Sequence, residues 1–282
     1  MNRIDVRKTY KLYIGGNFPR SESGRSYPAL SGKGEVLARV SSASRKDLRM
    51  AVEAARKAQP GWAGRTGYNR GQIMYRIAEM LEDRSETFVE QIVAAGATKR
   101  QADNEVASAI DNLVWYAGWA DKFAQVHGNL NPVAGPYFNI SAPEPTGVIG
   151  AIAPTEAALL GLVARVAPII VSGNTVVVLA SEPRPMPAIS FTEVLATSDV
   201  PGGVVNVLTG SVEELVPWLA DHGDVDGIDV IGADATLRER LQQGGALDVK
   251  RIVGLRGSVE DRSPQLIGAF TEIKTVWHPK GR

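Results

Sequence analysis

The sequence predicts an open, doubly wound α/β fold, a parallel sheet covered by helices on both faces. Three observations carry this. Between residues 147 and 253, five short β-branched runs are apolar at successive positions rather than at every second one, the pattern of strands buried on both faces. Each gap between runs holds a helical candidate, and strand–helix–strand units of this kind cross over right-handedly into one parallel sheet. The 282 residues, 44% hydrophobic and 22% charged, can bury the core that such a sheet needs.

Before the strands, the pattern is helical. Ser44-Arg45-Lys46-Asp47 has capping-box spacing, and Leu48, Val52, Ala55 and Ala58 follow at helical intervals. Ile73, Ile77, Met80 and Leu81 mark a second helix. Phe88, Ile92 and Val93 mark a third, entered through Ser85 as N-cap and closed near Gly96. A longer helix carries Val106, Ala109, Ile110, Leu113 and Tyr116, and its Trp115 and Trp119 form a stripe expected to pack against a neighbour. Residues 128–136 read as a polar Gly/Asn/Pro linker, and Tyr137-Phe138-Asn139-Ile140 as an extended arm.

The five strands are Gly147-Val148-Ile149-Gly150-Ala151-Ile152, Thr175-Val176-Val177-Val178-Leu179, Gly203-Val204-Val205-Asn206-Val207-Leu208, Gly227-Ile228-Asp229-Val230-Ile231 and Lys250-Arg251-Ile252-Val253. Helices are expected around 159–170, 188–196, 212–220 and 235–243, with Ser211 and Glu214 repeating the capping-box spacing. Gly202-Gly203 reads as a turn into the third strand and Gly244-Gly245 as a helix C-terminal cap. After a short polar stretch at 258–263, the tail Thr271-Glu272-Ile273-Lys274-Thr275-Val276-Trp277 alternates as a strand does. A strand there must join the arm near Ile140 or add to a partner's sheet.

Thirty-one basic side chains balance thirty-one acidic ones, so no basic field is present to draw nucleic acid or an anionic membrane. The apolar region from Gly147 to Ala180 is interrupted by Glu156 and Arg165 and punctuated by Gly150, Pro154, Gly161, Pro168 and Gly173. It falls short of the roughly twenty continuous apolar residues of a spanning helix. The mixed-charge N-terminus is unlike a signal peptide, so the expected compartment is the cytoplasm. The chain has no cysteine, which excludes disulfides, thiolate metal sites, iron–sulfur clusters and any cysteine nucleophile within it.

No serine-hydrolase elbow, phosphate loop or Gly-x-Gly-x-x-Gly follows any strand. His127, His222 and His278 fall in loop or tail contexts without metal-ligand spacing and read as surface histidines, so no metal site is expected. Glu156 stands just past the first strand, where doubly wound sheets hold their ligands. It reads either as a general base or, the favoured alternative, as a charge stabilising the N-terminus of the following helix. Glu182, past the second strand, is either a ribose ligand or a solvated loop carboxylate.

Several stretches resemble the aldehyde dehydrogenase superfamily in order and spacing. They are Leu12-Tyr13-Ile14-Gly15-Gly16, Val52-x-Ala54-Ala55-Arg56 with Trp62, Pro145-x-Gly147-Val148-Ile149-Gly150, and Ala167-Pro168. The longer ones are Gly173-Asn174-Thr175-Val176-Val177-Val178, Pro201-Gly202-Gly203-Val204-Val205-Asn206-Val207-Leu208-Thr209-Gly210, and the tail strand from Thr271. Within that superfamily the sequence is most similar to the cysteine-less second region of the two-part family-16 aldehyde dehydrogenases, through the stretch from Asp199, Trp119-Ala120-Asp121-Lys122 and Lys274-Thr275-Val276-Trp277.

The resemblance implies a Rossmann-like cofactor domain (1–135 and 147–262) and an oligomerisation β-arm (136–146 and 263–282). The catalytic domain would stand between Gly257 and Phe270, where only a short link is present; the tail strand beyond it argues against simple truncation. The implied working positions are altered. The family's Pro-Trp-Asn reads Pro154-Thr155-Glu156, its Lys-Pro-x-Glu reads Leu179-Ala180-Ser181-Glu182, and its Gly-Ser-x-x-x-Gly reads Gly232-Ala233-Asp234-Ala235-Thr236-Leu237. The Glu-Leu-Gly-Gly of the general base reads Gly254-Leu255-Arg256-Gly257. No catalytic residue is therefore expected, and only Glu182 and Gly232 remain as vestigial cofactor positions, with no binding or weak binding of NAD(P). The implied role is a non-catalytic subunit that assembles with a full-length, cysteine-bearing aldehyde dehydrogenase through 137–140 and 271–277. The alternatives are a nicotinamide-dependent oxidoreductase that works without a thiol and a nucleotide-sensing module.

Overall fold

The computed structural model describes residues 8–254, 259 and 261–281. It begins with a small mixed sheet that the sequence reading did not anticipate. β1 (Thr9–Tyr10) runs parallel to β3 (Val36–Ser41), and β2 (Ser26–Leu30) runs antiparallel on the other side of β3. Pro28 interrupts the pattern of β2, yet it is tolerated because β2 is an edge strand.

α1 (Arg45–Ala63) starts on the expected capping box: Ser44 Oγ accepts from the backbone of Lys46 and Asp47, and Asp47 accepts from the Ser44 N–H. Its apolar face buries Leu48, Val52, Ala55 and Trp62. α2 (Gly67–Asp83) is capped by Thr66. α3 (Ser85–Ala94) differs from expectation: its N-cap is Arg84, with no side-chain cap, and Ser85 is already helical. Only Arg84 separates α2 from α3, which leaves no extended residue whose hydroxyl could fold back. α4 (Lys99–Trp119) opens on a Thr98–Gln101 capping box, and its Trp115 and Trp119, rings 5.5 Å apart, pack against the core. α5 (Phe123–His127) is short, and His127 stacks on Phe123 rather than standing in a loop.

β4 (Asn129–Asn131) lies inside the segment expected to be a linker and pairs with β5 (Tyr137–Pro145). The doubly wound unit follows: β6 (Val148–Ile152), α6 (Ala158–Val171), β7 (Thr175–Leu179), α7 (Met186–Ala196), β8 (Val205–Leu208), α8 (Val212–Ala220), β9 (Gly227–Asp229), α9 (Ala235–Leu247) and β10 (Arg251–Val253). The strand order is β10-β9-β6-β7-β8, parallel throughout. Successive residues of one strand enter different cores, as a doubly covered sheet requires. Val176 and Val178 pack with α6, α7 and the α2–α4 bundle. Val177 and Leu179 pack with α1 and α8 on the other face.

Gly244 and Gly245 lie within α9 and do not cap it. A Cβ on Gly244 would sit 2.7 Å from the Ala220 methyl and one on Gly245 2.8 Å from Ile252 Cδ1, so these glycines let α9 approach α8 and β10 closely. After α10 (Pro264–Gly268), β11 (Thr271–Pro279) pairs antiparallel with all of β5, setting Val276 opposite Ile140. Of the two partners expected for the tail strand, the chain's own arm is the one observed. His278 lies in this strand, not in a loose tail. Among the described residues no helix is long and apolar enough to cross a membrane.

Buried asparagines hold the pieces together. Asn206 on β8 donates to the Gly203 and Val176 carbonyls and accepts from Gly15 N–H at 2.9 Å, fixing the turn at 14–17 to the sheet. There a Cβ on Gly16 would lie 2.9 Å from Gly202 Cα, so the two backbones meet glycine to glycine. Asn174 accepts from Gly147 N–H at 2.6 Å and donates to Ser172 Oγ and the Phe270 carbonyl, each at 2.7 Å, which ties the start of β6 to the root of β11. Trp62 donates its indole N–H to the Ile170 carbonyl at 2.8 Å, pinning α1 to α6.

Candidate functional site

A cleft of about 410 Å³ opens at the C-terminal ends of β6, β7 and β9, where an open parallel sheet presents its loops to ligands. Its walls are the segments that follow these strands, together with the first turns of α8 and α9. Glu182 and Gly232, the two cofactor positions expected from the sequence, both line it. Glu156, Glu213 and Asp234 line it too.

Three helices begin around this cleft, and in each first turn at least one backbone N–H is met by a carboxylate of the chain itself. α6 has Ala157 as N-cap and no side-chain cap of its own. Glu105, reaching over from α4, accepts from Leu159 N–H at 2.8 Å and Leu160 N–H at 3.4 Å. Glu156, one residue before that N-cap, is exposed, and its carbonyl accepts from Arg184 at 2.9 Å. Burial pushes the Glu105 carboxyl above its usual range, opposed by its two backbone donors and by Arg184.

At α8, Ser211 caps by accepting from Glu214 N–H at 3.3 Å, and Glu182 accepts from Val212 N–H at 3.3 Å. Glu182 is exposed, and one of its carboxylate oxygens makes this contact. At α9, Asp234 is the N-cap and accepts from Leu237 N–H at 2.9 Å. Gly232 has a backbone reason to be glycine, since a Cβ there would run into the Ile152 carbonyl oxygen at the end of β6.

A helix N-terminus carries about half a positive charge and ordinarily attracts phosphate. Here that charge is met by Glu105, Glu182 and Asp234 in turn, and among the described residues no lysine or arginine lines the cleft. These residues do not fit the diphosphate of a dinucleotide. The chain offers no thiol, and the altered general-base positions Leu255, Arg256 and Gly257 lie outside the described residues. Among those described, no group of His, Asp and Glu side chains could hold a metal ion. His222 accepts from Asp224 N–H at 3.2 Å, and desolvation holds its pKa below the usual value.

One buried ion pair went unread in the sequence. Arg165 on α6 and Asp229 on β9 stand 3.4 Å apart at 3% and 0% exposure. Burial raises the Asp229 pKa, against Arg165 and the Ile231 N–H that favour its charged form. Tyr116 lies near Arg165, and burial pushes its hydroxyl up to about 12. The available signal was one arginine in an apolar helix and one aspartate in an apolar strand run, each needing a partner. Glu105 had no such signal, being one of several charges on a solvated helix.

Residues 20–259 match the Aldehyde dehydrogenase family. The chain is 30% identical over 274 residues to the putative aldehyde dehydrogenase DhaS of Bacillus subtilis, covering 95% of this chain and 54% of that one. It is 31% identical to the human cytosolic 10-formyltetrahydrofolate dehydrogenase, covering 97% of this chain and 31% of that one. Among solved structures it superposes on an NAD+ complex of aldehyde dehydrogenase from Bacillus cereus with a TM-score of 0.82 at 25% identity, over 87% of this chain and 50% of that one. HpcC from Thermus thermophilus matches with a TM-score of 0.82 at 28% identity, over 87% of this chain and 47% of that one. The chain therefore spans about half the length, or less, of these relatives.

Proposed function

We propose, from the premise that this chain belongs to the aldehyde dehydrogenase family, that it is a non-catalytic subunit docking on a full-length, cysteine-bearing aldehyde dehydrogenase. It acts there as a structural or regulatory component. In this reading 1–135 with 147–262 form the cofactor-type domain and 136–146 with 263–282 the arm. The likeness to the cysteine-less second region of the family-16 enzymes belongs to the same proposal.

The observation that carries the proposal is the outer face of the β4–β5–β11 sheet. Leu130, Ile140 and Val276 stand side by side across three strands, 66%, 48% and 48% exposed. An apolar row of this kind, beside the open edge of β11, suits contact with another chain.

The chemistry supports the other half of the reading. Aldehyde oxidation by the mechanism the resemblance implies needs a thiolate to form the adduct that surrenders hydride. This chain has no cysteine. A carboxylate at Glu156 would repel a developing oxyanion instead of stabilising it. Cofactor binding is weak or absent, for the electrostatic reasons given above. The test is co-elution of the purified chain with a purified full-length aldehyde dehydrogenase. A stable complex supports the proposal, and a monomer that never co-elutes overturns it.

A further inference from the structure

We infer that the chain's own carboxylates make this cleft an anion-excluding one. Glu156, Glu182, Glu213 and Asp234 line it, Glu182 and Asp234 at the N-termini of α8 and α9, while Glu105, outside that lining, meets the N-terminus of α6. A diphosphate is rejected. The inference rests on the family reading for where a ligand would lie, but not on the proposed assembly.

A diphosphate entering here meets helix ends that each already carry a carboxylate of the chain. To reach the N-terminus of α6 it would displace Glu105, which two backbone donors hold in place. To reach α9 it would displace the Asp234 cap. Of the remaining carboxylates, Glu182 accepts from Val212 N–H and Glu213 is in the first turn of α8. Arg184, outside the lining, donates to the Glu156 carbonyl at 2.9 Å and is a positive charge that opposes their field. Like charges inside a concave wall reinforce one another because the low-dielectric protein focuses their field.

The test titrates the full chain with NAD and with inorganic pyrophosphate by calorimetry at low ionic strength. The wild type is expected to show no saturable binding to either. The variant combining Glu156→Gln, Glu213→Gln and Asp234→Asn should bind both, about tenfold or more tighter than any residual wild-type affinity, and should weaken again as salt is added. All three side chains are exposed, and asparagine keeps the cap at 234, so the fold is retained. The single variant Asp234→Asn should give a smaller gain of the same sign. Micromolar binding of NAD by the wild type would overturn the inference and revive the nucleotide-sensing alternative, and equal affinities of wild type and variants would overturn it as well. Neither result bears on co-elution, which reads the arm alone.

Discussion

Replacing Asp229 by asparagine removes one charge from the buried pair while keeping the side chain's shape. Asp229 is fully buried on β9, and Arg165 opposite it is 3% exposed. Stripping one partner from such a pair leaves the other charge uncompensated and costs about 3–5 kcal/mol. The lower end applies here. The pair rests on one contact at 3.4 Å, and the asparagine oxygen can still accept from Ile231 N–H, as Asp229 does at 3.0 Å. A loss of about 3 kcal/mol is a large share of the roughly 5–15 kcal/mol of a folded domain. It should lower the melting temperature by roughly 6–12 °C in a chain of this size. Arg165→Met alone should cost a similar amount. The double variant should cost clearly less than the sum, because two well-packed neutral groups carry no unpaired charge. Thermal and urea unfolding of the four proteins complete the cycle. A neutral Asp229→Asn, or a double variant equal to the sum of the singles, would refute the reasoning.

Other outcomes follow from the same geometry. Because burial raises the Glu105 carboxyl, the native state holds more protons than the unfolded chain just above pH 4.5, and its contribution to stability falls as pH rises through that window. Glu105→Gln, whose amide oxygen still accepts from Leu159 and Leu160, should flatten that slope in unfolding measured against pH. Glu105→Ala should cost about 1–2 kcal/mol by uncapping α6. Asn174→Ala strands three buried partners and should cost about 2–4 kcal/mol, with faster amide exchange at the root of β11. Val276→Glu on the exposed sheet face should change the stability of the lone chain by no more than about 0.5 kcal/mol yet abolish co-elution with a full-length partner.

The doubly wound sheet was legible because its strands are buried on both faces. Val176-Val177-Val178 has no polar alternation to confuse it with an exposed strand, and the expected strand at 175–179 coincides with the observed one. The capping side chains at Ser44 and Ser211 were legible because their hydrogen bonds close within three residues. What stayed hidden depends on distant partners. β2 and β4 are short and carry proline or asparagine, and they exist only because β3 and β5 lie beside them. Ser85 had the right residue type, but α2 leaves no room for a cap. At the cleft, the place of Glu182 was readable from its position past the second strand, whereas Gly232 came only from the family resemblance. The carboxylate on α6 was not readable, because it comes from Glu105, more than fifty residues earlier in the chain.

The stretches that carry the family likeness have structural work to do in this chain. Gly15-Gly16 and Pro201-Gly202-Gly203 meet backbone to backbone, Asn206 and Asn174 tie three segments each, and Trp62 joins two helices. Such positions tolerate little change whatever happens at the cleft, since Trp62, Asn174 and Asn206 are buried and hydrogen-bonded and a Cβ at Gly16 or Gly202 would meet backbone. Residues that would serve chemistry alone are under no such restraint. Glu156 and Asp234 are exposed, and a carboxylate at either position disturbs no packing. The packing that holds this fold therefore does not depend on these residues at the cleft.

The most direct measurement is the reduction of NAD by the purified chain alone across a panel of aldehydes, followed by absorbance of the reduced nicotinamide. The account predicts a rate indistinguishable from buffer. Sustained turnover, proportional to the amount of chain added, would contradict it.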